Sequence, residues 1–277
     1  MKNANRLQRA LRTDSGASFG AWQMLPGGNL SRVIARAGFD WVCVDCEHGN
    51  VAGIVPPLQP QAISNIRTLD HQMHESVAAI ASCGASPLVR IPANEGWMVK
   101  RALDSGAHGI VVPLLYTADD ARALVQSAKF PPVGRRGYGS PFTMGSFAIE
   151  GDLSGLEYLQ NANESLLTIV QIETKEAFQN LDEIAKVEGI DVLFIGPWDL
   201  GNNLGYPVTG DFAPELKTAI AKILEVAKAN GKKAGIYTTG GEMARIYAEQ
   251  GFHMVLLPHP LEVSGAPANK TSFRYPS

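Results

Sequence analysis

Short apolar runs alternate with stretches of helical period along this 277-residue chain. Eight runs read as strands, over 19–25, 41–48, 87–91, 109–114, 167–173, 192–195, 234–237 and 253–257. The stretches between them carry helix start and stop signals. A helix over 30–38 has Asn29 as its N-cap and Gly38 as its stop. One over 71–83 ends at Gly84, and one over 97–105 ends at Gly106. Thr117 caps a helix over 118–128, with Asp119 and Asp120 in its first turn, where the helix dipole favours acids. Further helices are predicted over 156–163, 175–187, 214–229 and 242–249, the last two stopping at Asn230-Gly231 and Gly251. Residues 1–18 hold an amphipathic first helix with Leu7, Ala10 and Leu11 on its apolar side.

Eight strands separated by helices predict one α/β domain over 19–257, a (β/α)8 TIM barrel. A doubly wound open sheet is the runner-up. It requires a glycine-rich phosphate loop after the first strand, and Pro26-Gly27-Gly28-Asn29 is too short for one. Reactive groups of barrels sit at the C-terminal ends of strands. That rule gathers His48, Arg90, Glu173 and Asp199 around one mouth.

Composition narrows the picture without redirecting it. The chain is 45% hydrophobic and 18% charged with net charge −3, as expected of a soluble globular protein. Its 24 basic and 27 acidic residues form no basic patch, which argues against nucleic acid, and no apolar run is long enough to span a bilayer. The basic N-terminus lacks an apolar core region and is not a secretory signal. Three cysteines, Cys43, Cys46 and Cys83, point to a reducing, cytoplasmic setting. Cys43 and Cys46 form a C-x-x-C inside a predicted strand. Spacing of three puts the thiols on opposite faces, so neither a redox pair nor a zinc site is expected.

The chemistry gathers around WVCVDCEH. Side chains alternate along a strand, so Trp41, Cys43, Asp45 and Glu47 share one face, while Val42, Val44 and Cys46 face the helices. His48 leaves the strand end as the candidate general base, with Asp45 or Glu47 to orient it. Glu173 and Asp199 each end a strand and are the candidate metal ligands. Two carboxylates with open positions suit Mg²⁺ or Mn²⁺, with Co²⁺ also accepted. The competing role for Asp199 is a helix cap. Arg90, on an apolar strand, needs an anion, either a substrate or Asp45 or Glu47. Gly196-Pro197-Trp198-Asp199-Leu200 reads as a helix start whose Trp198 and Asp199 N–H groups can hold a carboxylate. The segment from Arg135 to Gly139 is read either as a mobile lid or as a plain surface loop. His71, His74 and Glu75 are expected to decorate a solvated helix face. Lys175 beside Glu173 is a weak Schiff-base candidate.

With these residues in place the chain resembles the HpcH/HpaI aldolase family, the metal-dependent class II pyruvate aldolases. The matching segments are AGFDWVCVDCEHGN, PLVRIPANE, ALDSGAHGIVVPLL, AKFPPVGRRGYGS, VQIETKEA and VEGIDVLFIGPWDLGNNLGY. The resemblance implies that Glu173 and Asp199 bind a divalent metal. It makes His48 the catalytic base with Asp45 behind it, and Arg90 the group that stabilises the enolate. Gln171 and Trp22 line the substrate pocket, and the Trp198 and Asp199 amides hold the pyruvate carboxylate. It also implies a homo-oligomer, a hexamer whose last helix packs on a neighbour.

Two stretches depart from the family pattern. Residues 51–69 contain three prolines and no clean period, and read as an inserted loop behind His48. Residues 258–277 lack apolar periodicity and read as a disordered tail. The expected function is a metal-dependent lyase that cleaves a 4-hydroxy-2-oxo acid or a 2-keto-3-deoxy sugar acid to pyruvate and an aldehyde. The alternatives are an oxaloacetate decarboxylase on the same site, and a barrel whose catalysis the insertion and tail have ended.

Overall fold

A computed structural model describes residues 1–14, 16–51, 63–148 and 151–258, with the backbone alone for 63–70. The readings of 52–62 as inserted loop and of 259–277 as tail lie outside the described residues. The strands are β1 (Ser18–Gln23), β2 (Trp41–Asp45), β3 (Ser86–Arg90), β4 (Gly109–Val112), β5 (Leu167–Ile172), β6 (Val192–Ile195), β7 (Lys233–Tyr237) and β8 (Met254–Leu257). Each pairs in parallel with the next, and β8 closes on β1, which gives the TIM barrel the alternation predicts.

Strand parity divides the apolar residues in two. Trp22, Trp41, Cys43, Leu88, Val111, Ile169, Phe194, Met254 and Leu256 fill the barrel interior. Val42, Val44, Val89, Ile110, Val170, Leu193 and Val255 belong to the larger core beneath the helices. Packing the interior needs small residues opposite large ones. A Cβ on Gly20 would lie 2.1 Å from the Trp41 ring, and one on Gly235 would lie 2.6 Å from Phe194. Cys43 and Cys46 fall in different clusters, as the spacing argument requires. Burial pushes the Cys46 thiol up to about 12 and raises Cys43 as well, so neither is poised for redox chemistry.

The first helix, α1 (Arg6–Thr13), presses Leu7 and Leu11 into that interior cluster. Its N-cap Asn5 ties it down. The Asn5 Oδ1 accepts from the Gln8 N–H and the Ser86 hydroxyl, and its amide donates to the His108 and Ser165 carbonyls. Ser86, His108 and Ser165 sit at or just before the starts of β3, β4 and β5, so α1 stops the N-terminal end of the barrel. His108 is buried there, stacked on Phe147 at 4.1 Å, and burial pushes its imidazole down to about 4.

The outer helices are α2 (Gly28–Arg36), α3 (Ile63–Ala81), α4 (Gly96–Asp104), α5 (Ala118–Ala128), α6 (Gly155–Ser165), α7 (Lys175–Gln179), α8 (Leu181–Ala185), α9 (Pro197–Leu204), α10 (Pro214–Ala229) and α11 (Gly241–Gln250). Three differ from the sequence expectation. Asn29 lies inside α2, whose N-cap is Gly27. The predicted single helix over 175–187 is split at Asn180, the C-cap of α7 and N-cap of α8. The backbone is already helical at Ile63, so the inserted-loop reading of 51–69 fails for its last seven residues. That part extends the following helix.

Among the described residues no helix is long and apolar enough to cross a membrane. The lid reading of Arg135 to Gly139 does not survive either. Arg136 is buried, donating to Asp104 at 2.9 Å and to the Tyr158 hydroxyl at 3.2 Å, with its guanidinium 4.6 Å from the Phe130 ring centre. A side chain with that many partners anchors the segment to the barrel flank.

Candidate active site

Parity also builds the mouth. Trp22, Asp45, Arg90 and Gln171 continue the inward-facing positions of β1, β2, β3 and β5, and Glu173 follows Gln171 by two. Ladder register sets Asp45 directly beside Arg90. The Arg90 fork closes on it, with Nε donating to Oδ1 at 2.9 Å and Nη2 to Oδ2 at 2.6 Å. Asp45 is fully buried, and its Oδ1 also accepts the backbone N–H groups of Glu47 (3.1 Å) and His48 (3.2 Å). Those bonds fold the chain back on the strand end as an Asx-type turn. The Trp22 ring covers the other side of Arg90, with its centre 4.1 Å from the guanidinium carbon.

This arrangement corrects the expected Asp45–His48 pair. The fork and two amides occupy the Asp45 oxygens, and no contact runs from Asp45 to the imidazole. The carboxylate near His48 is Glu47, with Oε1 3.6 Å from the imidazole Nε2. The His48 side chain is 63% exposed. Glu47 is more enclosed. Its Oε2 lies 3.2 Å from Arg90 Nε, yet it has no hydrogen bond, because the Nε–H is aimed at Asp45.

Glu173 is held from several sides. Its Oε1 accepts the Leu114 N–H at 2.8 Å, and its Oε2 accepts from the Gln171 amide. A Cβ on Gly196 would lie 2.6 Å from Oε2, so the glycine after β6 makes room for the carboxylate. The Gln171 Oε1 is buried and has no partner. Asp199 stands in the first turn of α9, exposed, with Pro197 at the helix start and the side-chain-less Gly196 as N-cap. The Leu200 N–H is the first to find its helical acceptor, the Gly196 carbonyl at 2.9 Å. The amides of Trp198 and Asp199 therefore face outward from the helix start. The Trp198 ring is fixed edge-on between Phe212 and Tyr237.

Electrostatics bind these groups into one site. Burial pushes the Glu47 carboxyl up to about 7. Arg90 opposes the rise, and Glu173, Asp45 and Asp199 add to it. Glu173 is also raised, first by burial and then by Asp199, against the pull of the Leu114 amide and Gln171. Four carboxylates thus share one guanidinium, and that guanidinium is committed to Asp45. A cation between Glu173 and Asp199 would relieve the repulsion, so the donor set fits a hard divalent metal. Among the described residues no three His, Cys, Asp or Glu side chains converge as a ready-made ligand set, so water and substrate must complete the coordination of such an ion.

Sequence reasoning grouped His48, Arg90, Glu173 and Asp199 by strand ends and added Trp22, Asp45, Gln171 and Trp198 from the resemblance, and all eight stand near the C-terminal ends of strands. It undervalued Glu47, whose strand parity already matched Asp45, and it missed Leu114 and Gly196. Lys175 is exposed at the start of α7, without the desolvation a Schiff-base lysine needs. His71 and Glu75 are exposed, as expected of a solvated helix face, and His74 is half-buried. They line a groove of 1520 Å³ on the barrel flank, together with Trp97, Lys100 and Phe142 and no residue of the mouth.

A family model described as HpcH/HpaI aldolase/citrate lyase matches residues 19–259. The chain is 34% identical over 254 residues to the 2-dehydro-3,6-dideoxy-6-sulfogluconate aldolase of Pseudomonas putida, covering 92% of this chain and 91% of that protein. It is 35% identical over 232 residues to a 4-hydroxy-2-oxo-heptane-1,7-dioate aldolase of Escherichia coli, covering 84% and 80%. A solved HpcH/HpaI aldolase/citrate lyase family protein from Burkholderia cenocepacia matches with a TM-score of 0.78 and 32% identity, over 93% of this chain and 94% of that one.

Proposed function

The chain belongs to the HpcH/HpaI aldolase/citrate lyase family, and on that premise we propose that its barrel mouth cleaves a 4-hydroxy-2-oxo acid or a 2-keto-3-deoxy sugar acid into pyruvate and an aldehyde. The protein is an enzyme, a carbon–carbon lyase of the pyruvate aldolase type. One observation carries the substrate reading. A buried, pre-held carboxylate, Glu173, lies near enough to a second, Asp199, to feel its charge, and Asp199 sits beside the open amides of a helix start. Metal ligands and carboxylate donors side by side suit a 2-oxo acid, which offers a keto oxygen and a carboxylate on adjacent carbons.

Glu173 and Asp199 would hold the divalent ion, Mg²⁺ or Mn²⁺, with Co²⁺ also accepted by oxygen ligands. When bound, the ion acts as a Lewis acid on the 2-oxo group. The Trp198 and Asp199 amides receive the substrate carboxylate. Arg90, locked by Asp45 and Trp22, presents fixed positive charge where negative charge develops on the 2-oxo oxygen as the C3–C4 bond breaks. His48 takes the C4 hydroxyl proton through water, with Glu47 rather than Asp45 beside it. The C3–C4 electron pair passes into the pyruvate enolate, which is protonated at C3 to give pyruvate. Gln171, with its unpartnered Oε1, and Trp22 line the pocket.

Oxaloacetate tests the site without knowledge of the aldehyde, because its decarboxylation also gives a pyruvate enolate. Pyruvate release with Mn²⁺ that EDTA stops is the expected result, together with loss of Mn²⁺ binding in Glu173→Ala. Release that survives EDTA, or unchanged Mn²⁺ affinity in Glu173→Ala, would refute the metal site. No release from oxaloacetate or from any 4-hydroxy-2-oxo acid offered would refute the substrate reading. The protein is further proposed to work in the cytoplasm, in keeping with its free cysteines, and as a homo-oligomer on the family's hexameric pattern. A monomer mass by light scattering would refute the hexamer.

A further inference from the structure

Two non-glycine residues among those described have positive φ, Asp14 at 51° and Leu114 at 50°. Asp14 is the left-handed cap that ends α1, a common place for such a residue. Leu114 has no such excuse. A leucine in the left-handed region is strained by its own Cβ and has no polar group to offset that locally. Burial does not force it there either, since the side chain is 46% exposed. Strained residues persist only where their surroundings over-determine them, and they cluster at functional sites.

The surroundings of Leu114 are over-determined in that way. The Leu115 carbonyl accepts the Thr174 hydroxyl at 3.2 Å, and the Tyr116 carbonyl accepts the Asn180 amide at 3.0 Å. Asp120 accepts the Thr117 N–H at 2.8 Å and the Tyr116 N–H at 3.3 Å. The loop after β4 is thus pinned to the segment that follows β5, next to Glu173. The left-handed turn aims the Leu114 N–H at Glu173 Oε1, 2.8 Å away. Relaxed to the ordinary β or αR region, the same peptide would point elsewhere.

We propose that Leu114 is a positioning residue, whose left-handed backbone exists to hold the Glu173 carboxylate in its metal-binding rotation. The inference rests on the reading of Glu173 as a metal ligand and adds the device that orients it. A buried carboxylate able to rotate would spend part of its time turned from the ion. An amide donor on one oxygen and Gln171 on the other stop that rotation before the metal arrives, as pre-organised metal sites require.

The test measures Mn²⁺ affinity of the full-length protein without substrate, from the electron paramagnetic resonance of free Mn²⁺, with circular dichroism as the check of folding. Leu114→Gly keeps the N–H and suits a positive φ, so its affinity is expected within about twofold of the parent. Leu114→Val keeps the N–H but, being β-branched, drives φ negative. It is expected to bind Mn²⁺ about tenfold or more weakly, the worth of a hydrogen bond to a charged group. Leu114→Pro removes the N–H and should weaken binding at least as much. A loop role alone would lower thermal stability in the valine and proline variants and leave Mn²⁺ affinity alone. Unchanged affinity in Leu114→Val, or a tenfold loss in Leu114→Gly, overturns the proposal. Glu173→Ala separates the two readings. If it keeps the parent affinity, the metal site itself is wrong. If it loses binding while Leu114→Val does not, only the role of Leu114 falls.

Discussion

Arg90→Met should destabilise the protein far more than loss of a surface arginine would. Asp45 is fully buried, and among the described residues the Arg90 fork supplies its only cationic contact at hydrogen-bond distance. Removing the fork leaves a buried carboxylate held by two backbone amides and no counter-charge, a change that costs about 3–5 kcal/mol. For a chain of this size each kcal/mol moves the unfolding midpoint by roughly 2–3 °C, so a fall of about 6–15 °C is expected. Thermal unfolding at pH 7, in EDTA and at one protein concentration, keeps metal and assembly from shifting the midpoint. The double variant Arg90→Met/Asp45→Asn removes the stranded charge while keeping an acceptor for the Glu47 and His48 amides. It should recover at least about 2 kcal/mol of the loss. Lyase activity should stay absent in both, because the arginine acts on the substrate as well as on Asp45. A single variant that loses less than about 1 kcal/mol, or a double variant no more stable than the single, would show that Asp45 does not depend on Arg90 for its charge.

Gly196→Ala places a methyl 2.6 Å from Glu173 Oε2, so the carboxylate must turn or the backbone must shift. Calorimetry should show Mn²⁺ binding about tenfold weaker or worse, with a stability cost of roughly 1–3 kcal/mol, and parent-like affinity would count against a fixed carboxylate. In the metal-free protein Glu47 holds its proton up to about 7, above its ordinary 4.5. Its stabilising contribution is therefore full below 4.5 and lost as pH rises through 7, and Glu47→Gln should flatten that part of a midpoint-against-pH series in EDTA. His108 has the opposite sign. With its imidazole lowered to about 4 from 6.5, stability present above pH 6.5 should fall by about 3 kcal/mol as pH drops to 4. A His108→Asn variant should lose that acid-side slope, and one that retained the parent's slope would show that another group causes it.

The barrel was legible because its signals are local and repeated. Thr117 and Asp120 form a capping box that fixes the start of α5 where the sequence puts it. The apolar stripe of α10 and the parity of β2 likewise depend only on residues within one element. Expectation failed where a longer-range partner decides. Three prolines ahead of Ile63 made 51–69 look irregular, although its last turns belong to α3. The Arg135-Arg136-Gly137 stretch can be read as a mobile lid until Asp104 and Tyr158, distant in sequence, are brought around Arg136.

The same division runs through the site. That His48, Arg90, Glu173 and Asp199 belong to one end of the barrel follows from one rule about strand ends, applied to residues each visible in its own segment. Which of them touch follows from register and backbone conformation, and neither is written in residue type. Register pairs Asp45 with Arg90, and that pairing takes the carboxylate away from His48 and leaves the place beside the imidazole to Glu47. Leu114 is the sharpest case, because leucine gives no signal for a left-handed turn and its side chain is not what the site uses. Its contribution is one amide, aimed by a conformation that only the loop contacts around it can hold. A sequence can name the groups that carry charge. The peptide groups that orient them become visible only when the chain is folded.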